Sequence, residues 1–340
     1  MYGLIAAASV GSLDMRAVWY ERFGPAEEVL TVGDMPTPSP ASGEVLVRVH
    51  ASGINPSDEK LRAGARPGAK MAFPRVIPHS DGAGVIEAVG EGVDTARIGQ
   101  RVWIWNAAWQ RAFGTCAEFV ALPSAHAVAL PENTSFADGA CFGIPAMTAW
   151  YALFGNGPID GKRVLITGGA GTVGRYACQM AQLGGAAQVI TTVSSEEKAQ
   201  HSTCDIWINY RESDVADAVM EQTQGEGVDL IIDVDFAANQ ETSLKVIRPN
   251  GTIASYASMA NRTPPLDYYS FLFKDITLRM LIVYQLDGLL RRKGEAQLTE
   301  WLEAGALSHA PVLCGGLEDA ATGHKRVAEA QKLGTIVLEF

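Results

Sequence analysis

The chain has 340 residues, 47% hydrophobic and 19% charged, with a formal net charge of −11; this length fits about two domains, and this composition belongs to folded α/β-type proteins, excluding a disordered or fibrous chain. The acidic balance argues against a nucleic-acid surface, and no apolar stretch reaches membrane-spanning length. The five cysteines (Cys116, Cys141, Cys178, Cys204, Cys314) lack short paired spacings, so a soluble, cytoplasmic protein with reduced thiols is expected rather than a disulfide framework.

In chain order, the opening Met1-Tyr2-Gly3-Leu4-Ile5-Ala6-Ala7-Ala8 is apolar but lacks the basic start of a signal peptide. A strand-like run begins at Met15, so residues 1–14 are expected to be an N-terminal extension. From 15 to 137, short β-rich runs at 44–50, 84–89, 101–105 and 117–121 are broken by Gly and Pro, which reads as a twisted, mainly antiparallel, barrel-like domain. From 138 to 284, strands at 163–167, 188–193, 205–209, 228–234, 251–256 and 276–282 alternate with helix-compatible stretches. Such alternation predicts a doubly wound parallel sheet. Helices around 294–304 and 323–332 and a last strand over 334–340 follow. Residues 285–340 are expected to return to the first domain, leaving a cleft between the two. No internal repeat is visible.

The most informative local signal is Arg163-Val164-Leu165-Ile166-Thr167 running into Gly168-Gly169-Ala170-Gly171-Thr172-Val173-Gly174. A strand ending in glycines three apart and opening a helix allows a tight turn and lets backbone N–H groups approach a pyrophosphate. A second strand over 188–193 completes a βαβ unit of the expected length. Ala170, Gly171, Thr172 and Val173 are the candidate phosphate-contacting residues.

Across the chain, Gly53-Ile54-Asn55-Pro56-Ser57-Asp58, Pro78-His79-Ser80-Asp81-Gly82-Ala83-Gly84-Val85, Gly99-Gln100-Arg101-Val102, Gly143-Ile144-Pro145-Ala146-Met147-Thr148-Ala149-Trp150, the glycine turn and Val327-Ala328-Glu329-Ala330 occur in that order. This set resembles the zeta-crystallin-like quinone oxidoreductases of the medium-chain dehydrogenase/reductase superfamily. The resemblance implies a GroES-like catalytic domain, a Rossmann cofactor domain, NADPH as hydride donor, no metal and a homodimer. Zinc-dependent members of the superfamily hold a catalytic metal with Cys, His and Cys. The positions aligned with those ligands are Asn55, Ser80 and Ile144, and the four-cysteine structural lobe is missing. No tightly bound zinc is expected.

A Rossmann site for NAD places an acidic side chain at the end of the second strand, where it accepts the ribose hydroxyls and repels a 2′-phosphate. Here the strand ends Thr192-Val193-Ser194-Ser195-Glu196-Glu197-Lys198. Ser194, Ser195 and Lys198 suit a phosphate, and Tyr210 matches the family position that closes over the adenosine. The same serines can cap the next helix, and Glu196 or Glu197 can turn inward. At the nicotinamide end the resemblance points to Asn55 as an amide hydrogen-bonding cofactor or substrate, and to Thr148 beneath the ring. Backbone groups around Phe236, Ala237, Ser255, Tyr256, Ala257, Ile282, Val283 and Tyr284 would contact ribose and carboxamide.

Lys60 stands where many relatives have Tyr; it either attracts an anionic or polarised substrate or is a solvated helix residue. The stretch Trp103-Ile104-Trp105-Asn106-Ala107-Ala108-Trp109-Gln110-Arg111 offers rings for a flat apolar pocket, with Trp103 equally suited to barrel core. Asp58, Lys60, Tyr151 and water are candidate proton sources. The expected activity is zinc-independent hydride transfer from NADPH to a quinone. Alternatives are an NADPH-dependent alkenal or enone (C=C) reductase, and an NADPH-binding structural or nucleic-acid-associated protein with little turnover. The β-branched edge over 276–282 is expected to pair with its symmetry mate in a homodimer, although Arg279 in its middle could keep that edge unpaired.

Overall fold

Strand-forming runs in the first third are cut at short intervals by Gly and Pro and join neighbours through short connections. Beyond residue 160 each apolar run is followed by a helical stretch long enough to carry the chain back for parallel pairing. A computed structural model, which describes residues 14–65, 68–329 and 333–340, contains both outcomes. The expected N-terminal extension lies, apart from residue 14, outside the described residues, as does the end of the helix expected over 323–332. That helix is seen as Ala320–Ala328.

A seven-stranded, mainly antiparallel sheet has the order Pro311–Leu313, Thr335–Glu339, Glu44–Ile54, Asp81–Val89, Arg101–Ile104, Ala127–Ala129, with Phe119–Pro123 along the first half of Glu44–Ile54. Asp14–Trp19 and Thr31–Pro36 form a separate antiparallel ribbon. The second sheet is wholly parallel, in the order Ile206–Asn209, Gln188–Val193, Arg163–Ile166, Val228–Asp233, Ile247–Ser255, Thr277–Met280. The chain starts in the middle, winds outward to one edge, then returns to build the other half. This is the doubly wound Rossmann order, with its switch point beside the first strand.

Several elements depart from sequence expectation. The strand expected at 251–256 extends over Ile247–Ser255, while the edge strand narrows to Thr277–Met280. The helix expected near 294–304 begins earlier, at Gly288, because the Asp287 carboxylate accepts from the N–H groups of Leu289 and Leu290. Thr31–Pro36, Ala127–Ala129 and Pro311–Leu313 were not expected. They are short or broken by Gly and Pro, and take strand form from their partners rather than from local propensity.

The two sheets share a core. In the helix Gly143–Phe154 every residue except Tyr151 is buried, as befits a helix apolar all round. It lies in one hydrophobic cluster with Trp103 and Trp105 of the first sheet and Val164, Ile166 and Ile232 of the second. The helix Gly288–Glu303 packs on the same element: a Cβ at Gly294 would stand 2.8 Å from the Trp150 ring, and Trp150 Nε1 donates to Gln297 Oε1 at 2.8 Å. The chain after residue 285 thus divides its packing, helix Gly288–Glu303 on this central helix and strand Thr335–Glu339 on Glu44–Ile54.

Candidate active site

The cofactor candidates collect along the carboxyl ends of the parallel strands, where open α/β sheets bind ligands. Gly168 turns with φ 74°, and a Cβ on Gly174 would lie 2.3 Å from the Gly168 carbonyl oxygen, so the turn closes tightly against its helix. The helix Thr172–Leu183 starts at Gly171 with no side chain capping it, which leaves its first amides open to an anion. A narrow recess at this turn is lined by Ala170, Gly171 and Thr172, together with Ala310, Gly334 and Thr335. The open amides of the turn and helix start have the chemistry to receive an anion.

Ser195 caps the next helix, Glu196–Ser202, its hydroxyl accepting from Lys198 N at 3.3 Å. Glu196 and Glu197 are exposed, and Lys198 is half-buried without an ion pair among the described residues. The Tyr210 amide donates to the Val193 carbonyl, so its backbone follows the strand end that leads into Ser194 and Ser195, and its ring is half-exposed. Phe236 and Val283 differ from the rest: both side chains are buried, and the Phe236 amide donates to Ala257 O. Only the backbone near them remains available. Ser255 Oγ donates to Ala257 O, and Tyr256 N to Asp233 O, so this loop is internally braced.

Asn55 and Ile144 converge on a residue that sequence reading did not select, the chain neighbour of Ser80. The Asp81 carboxylate accepts from Asn55 Nδ2 at 2.6 Å and from Ile144 N at 2.9 Å. A Cβ on Gly143 would sit 2.1 Å from Asp81 Oδ1, so glycine is what admits the carboxylate. Burial pushes the Asp81 carboxyl well above the usual range, partly offset by the Asn55 hydrogen bond. The Asn55 amide expected to reach cofactor or substrate thus already directs an N–H to Asp81. Asn55 N in turn donates to Asp58 Oδ2 at 2.8 Å, bracing the start of helix Pro56–Arg62.

A chain of buried hydrogen bonds runs behind Asp81. Arg62 Nε can only donate, here to His324 Nδ1 at 3.4 Å, and the Asp81 carbonyl can only accept, here from Thr115 Oγ1 at 2.6 Å. Every proton between them is therefore assigned. His324 Nε2 donates to His79 Nε2 at 3.0 Å, His79 Nδ1 to Ser52 Oγ at 2.9 Å, and Ser52 Oγ to Thr115 Oγ1 at 2.8 Å. Both imidazoles are neutral in this arrangement, in line with burial, which lowers His79 to about 3 and His324 well below its ordinary value.

Beside this network opens a cleft. Ser57, Asp58 and Ser80 line it together with Tyr20, Phe23, Met71, Phe73, Trp109 and Tyr284. Trp109 and Tyr284 stack at 4.8 Å between centroids and 11° between planes. Of the three tryptophans in the aromatic stretch, Trp109 alone lines the cleft. Trp103 is fully buried core, and Trp105 donates from Nε1 to Glu295 at 3.0 Å. Lys60 points elsewhere, with Nζ 3.2 Å from Met259 Sδ across the loop after Ile247–Ser255. Thr148 is buried in the central helix. Tyr151 lies under the Arg279 guanidinium at 3.9 Å, which removes it as a proton source at the cleft.

Family models place an alcohol dehydrogenase GroES-like domain over residues 41–132 and a zinc-binding dehydrogenase domain over residues 172–303. A rat quinone oxidoreductase is 34% identical over 72% of this chain and 74% of its own. This chain belongs to the zinc-independent quinone oxidoreductase family of the medium-chain dehydrogenases/reductases. A 2-haloacrylate reductase from Burkholderia is 31% identical over 95% of this chain and 98% of its own. A mycobacterial protein solved in complex with NADPH superposes with a TM-score of 0.83 at 29% identity, covering 96% of this chain and 100% of that one.

Membership of this family makes the protein an oxidoreductase with a nicotinamide cofactor, built from a GroES-like β-rich unit and a Rossmann sheet. The zinc positions of the wider superfamily carry an amide, a hydroxyl and an alkyl side chain here, a donor set that does not fit zinc. Among the described residues no group of three or more His, Cys, Asp or Glu is placed to hold a metal. Asp81 and His324 are what sequence reading missed in this quinone oxidoreductase relative. One signal was present, an aspartate opening the mostly apolar strand Asp81–Val89. His324, 245 residues from His79, gave none.

Proposed function

We propose that the protein is an NADPH-dependent quinone oxidoreductase that works without zinc, with residues 15–137 and 285–340 as the catalytic domain and 138–284 as the cofactor domain. The observation that carries this reading is the largely apolar, aromatic-walled cleft, one of whose walls is Tyr284. Its rings suit a flat conjugated molecule, and its polar groups are confined to a few positions, as in small-molecule sites generally. When bound, the nicotinamide supplies a hydride from C4. Thr148 would lie under the ring, Asn55 is held in place by Asp81, and the amides of Thr172 and Val173 would take the pyrophosphate. Ser194, Ser195, Lys198 and Tyr210 read the 2′-phosphate, which favours NADPH over NADH. Two copies pair through the strand Thr277–Met280.

A second reading, reduction of an activated C=C bond, is favoured by the 2-haloacrylate reductase, which matches almost the full chain. Both reactions use the same cleft. NADPH oxidation followed at its near-UV absorbance with a panel of quinones, enals and haloacrylates separates them. Absence of turnover with every member of the panel refutes both.

A further inference from the structure

Resting on that reading, we propose that the Ser80 hydroxyl is the group that receives the substrate's oxygen, and that the substrate is a flat conjugated ketone, enal or quinone presenting one carbonyl to the floor of the cleft. Ser80 is 4% exposed, yet no side-chain hydrogen bond of Ser80 is found among the described residues, and it lines the cleft. Unlike the Ser57 hydroxyl, which is buried without a partner, the Ser80 hydroxyl is reached from the cleft and bonds what enters it.

The surroundings sharpen the contrast. On one side His79 is fully buried, held with φ 76° and bonded through both ring nitrogens. On the other, the Asp81 carboxylate takes Asn55 and Ile144 while its carbonyl takes Thr115. The Ser80 carbonyl itself accepts from Ala107 N at 3.0 Å. The backbone carrying this hydroxyl is immobilised from three directions, and the side chain alone is left open. A donor fixed before the reaction begins needs no reorganisation when charge develops opposite it. The same cleft is lined by the rings of Tyr20, Phe23, Phe73 and Trp109 and by Met71, with Asp58, Lys70 and Arg111 also on its lining, so it suits a largely apolar molecule that carries a polar tip.

When bound, the reduced nicotinamide would supply the hydride that forms the new C–H bond at the electron-poor substrate carbon, and the π pair of the conjugated system would move to the carbonyl oxygen. That oxygen becomes an enolate or phenolate. Ser80 O–H hydrogen-bonds it without giving up its proton, and water entering through the open cleft protonates the product.

The test uses the full chain as wild type, Ser80→Ala and Ser80→Thr, with menadione as probe. In infrared difference spectra taken without nucleotide, the carbonyl band of bound menadione should move to lower wavenumber in wild type and Ser80→Thr but not in Ser80→Ala. With NADPH, Ser80→Ala should lose roughly a hundredfold in kcat with a smaller change in KM, and Ser80→Thr should recover most of it. A carbonyl band that is the same in wild type and Ser80→Ala, or wild-type kcat in Ser80→Ala, overturns the assignment. A wild type that shows the shifted band but oxidises no NADPH with any quinone or enone supports the contact and instead refutes the proposed activity.

Discussion

His324→Gln isolates the energetic consequence of the buried histidine chain. Gln can donate to His79 and accept from Arg62, so the relay persists while one titrating ring is removed. Burial depresses the folded-state values of His79 (to about 3) and His324, whereas the unfolded chain protonates each near its ordinary value of about 6.5. A depressed histidine contributes stability that is present above the unfolded value and is lost as pH falls toward the folded one. By linkage, each ring costs the folded state about 1.4 kcal/mol at about pH 5.5 relative to about pH 7.5, so the pair costs about 3 kcal/mol. Burial also raises Asp81, Asp233 and Glu295, which oppose this slope in the wild type and in the variant alike. The difference between the two proteins therefore reports His324. Urea unfolding at both pH values should show the variant gaining about 1.4 kcal/mol on the wild type as pH is lowered. Parallel changes in the two proteins would refute a buried neutral His324 and with it the proton assignment along the relay.

Other consequences are as direct. Lys198→Ala should weaken NADPH binding by roughly ten- to a hundredfold and leave NADH nearly untouched, with Tyr210→Phe doing less; kcat/KM for both nucleotides decides, and equal losses would reduce Lys198 to a helix residue. Asp81→Ala strands Asn55 Nδ2 and Ile144 N without acceptors and should lower stability by about 2 kcal/mol or more, read by thermal unfolding, and an unchanged midpoint would contradict the convergence seen here. Arg279 Nη1 donates to Tyr151 O at 2.8 Å, folding back from the sheet edge and leaving Met280 71% exposed. Light scattering at micromolar concentration should report a dimer that Met280→Glu weakens by roughly tenfold or more, whereas a monomeric wild type would remove the edge-pairing model. Elemental analysis should find no stoichiometric zinc, and one tightly held ion per chain would overturn the reading of Asn55, Ser80 and Ile144.

The sequence by itself determined what is local. Strand, glycine turn and helix succeed one another within a few residues, so the nucleotide end was legible at Gly168 to Gly174. The regular alternation after residue 160 specified a parallel sheet because only intervening helices return the chain for parallel pairing. Loss of the zinc ligands was visible in the identities at Asn55, Ser80 and Ile144 alone. Only the tertiary structure decided which of three nearby tryptophans faces the cleft, that Lys60 meets Met259, and that Phe236 is core. It alone brought Asn55 and Ile144 to one carboxylate and set His324 against His79. The physical reason is range. Turns and periodicity are written in neighbouring residues, whereas the burial of a ring or the partner of a carboxylate depends on which distant strand and helix close over it, and no pattern along the chain records that distance.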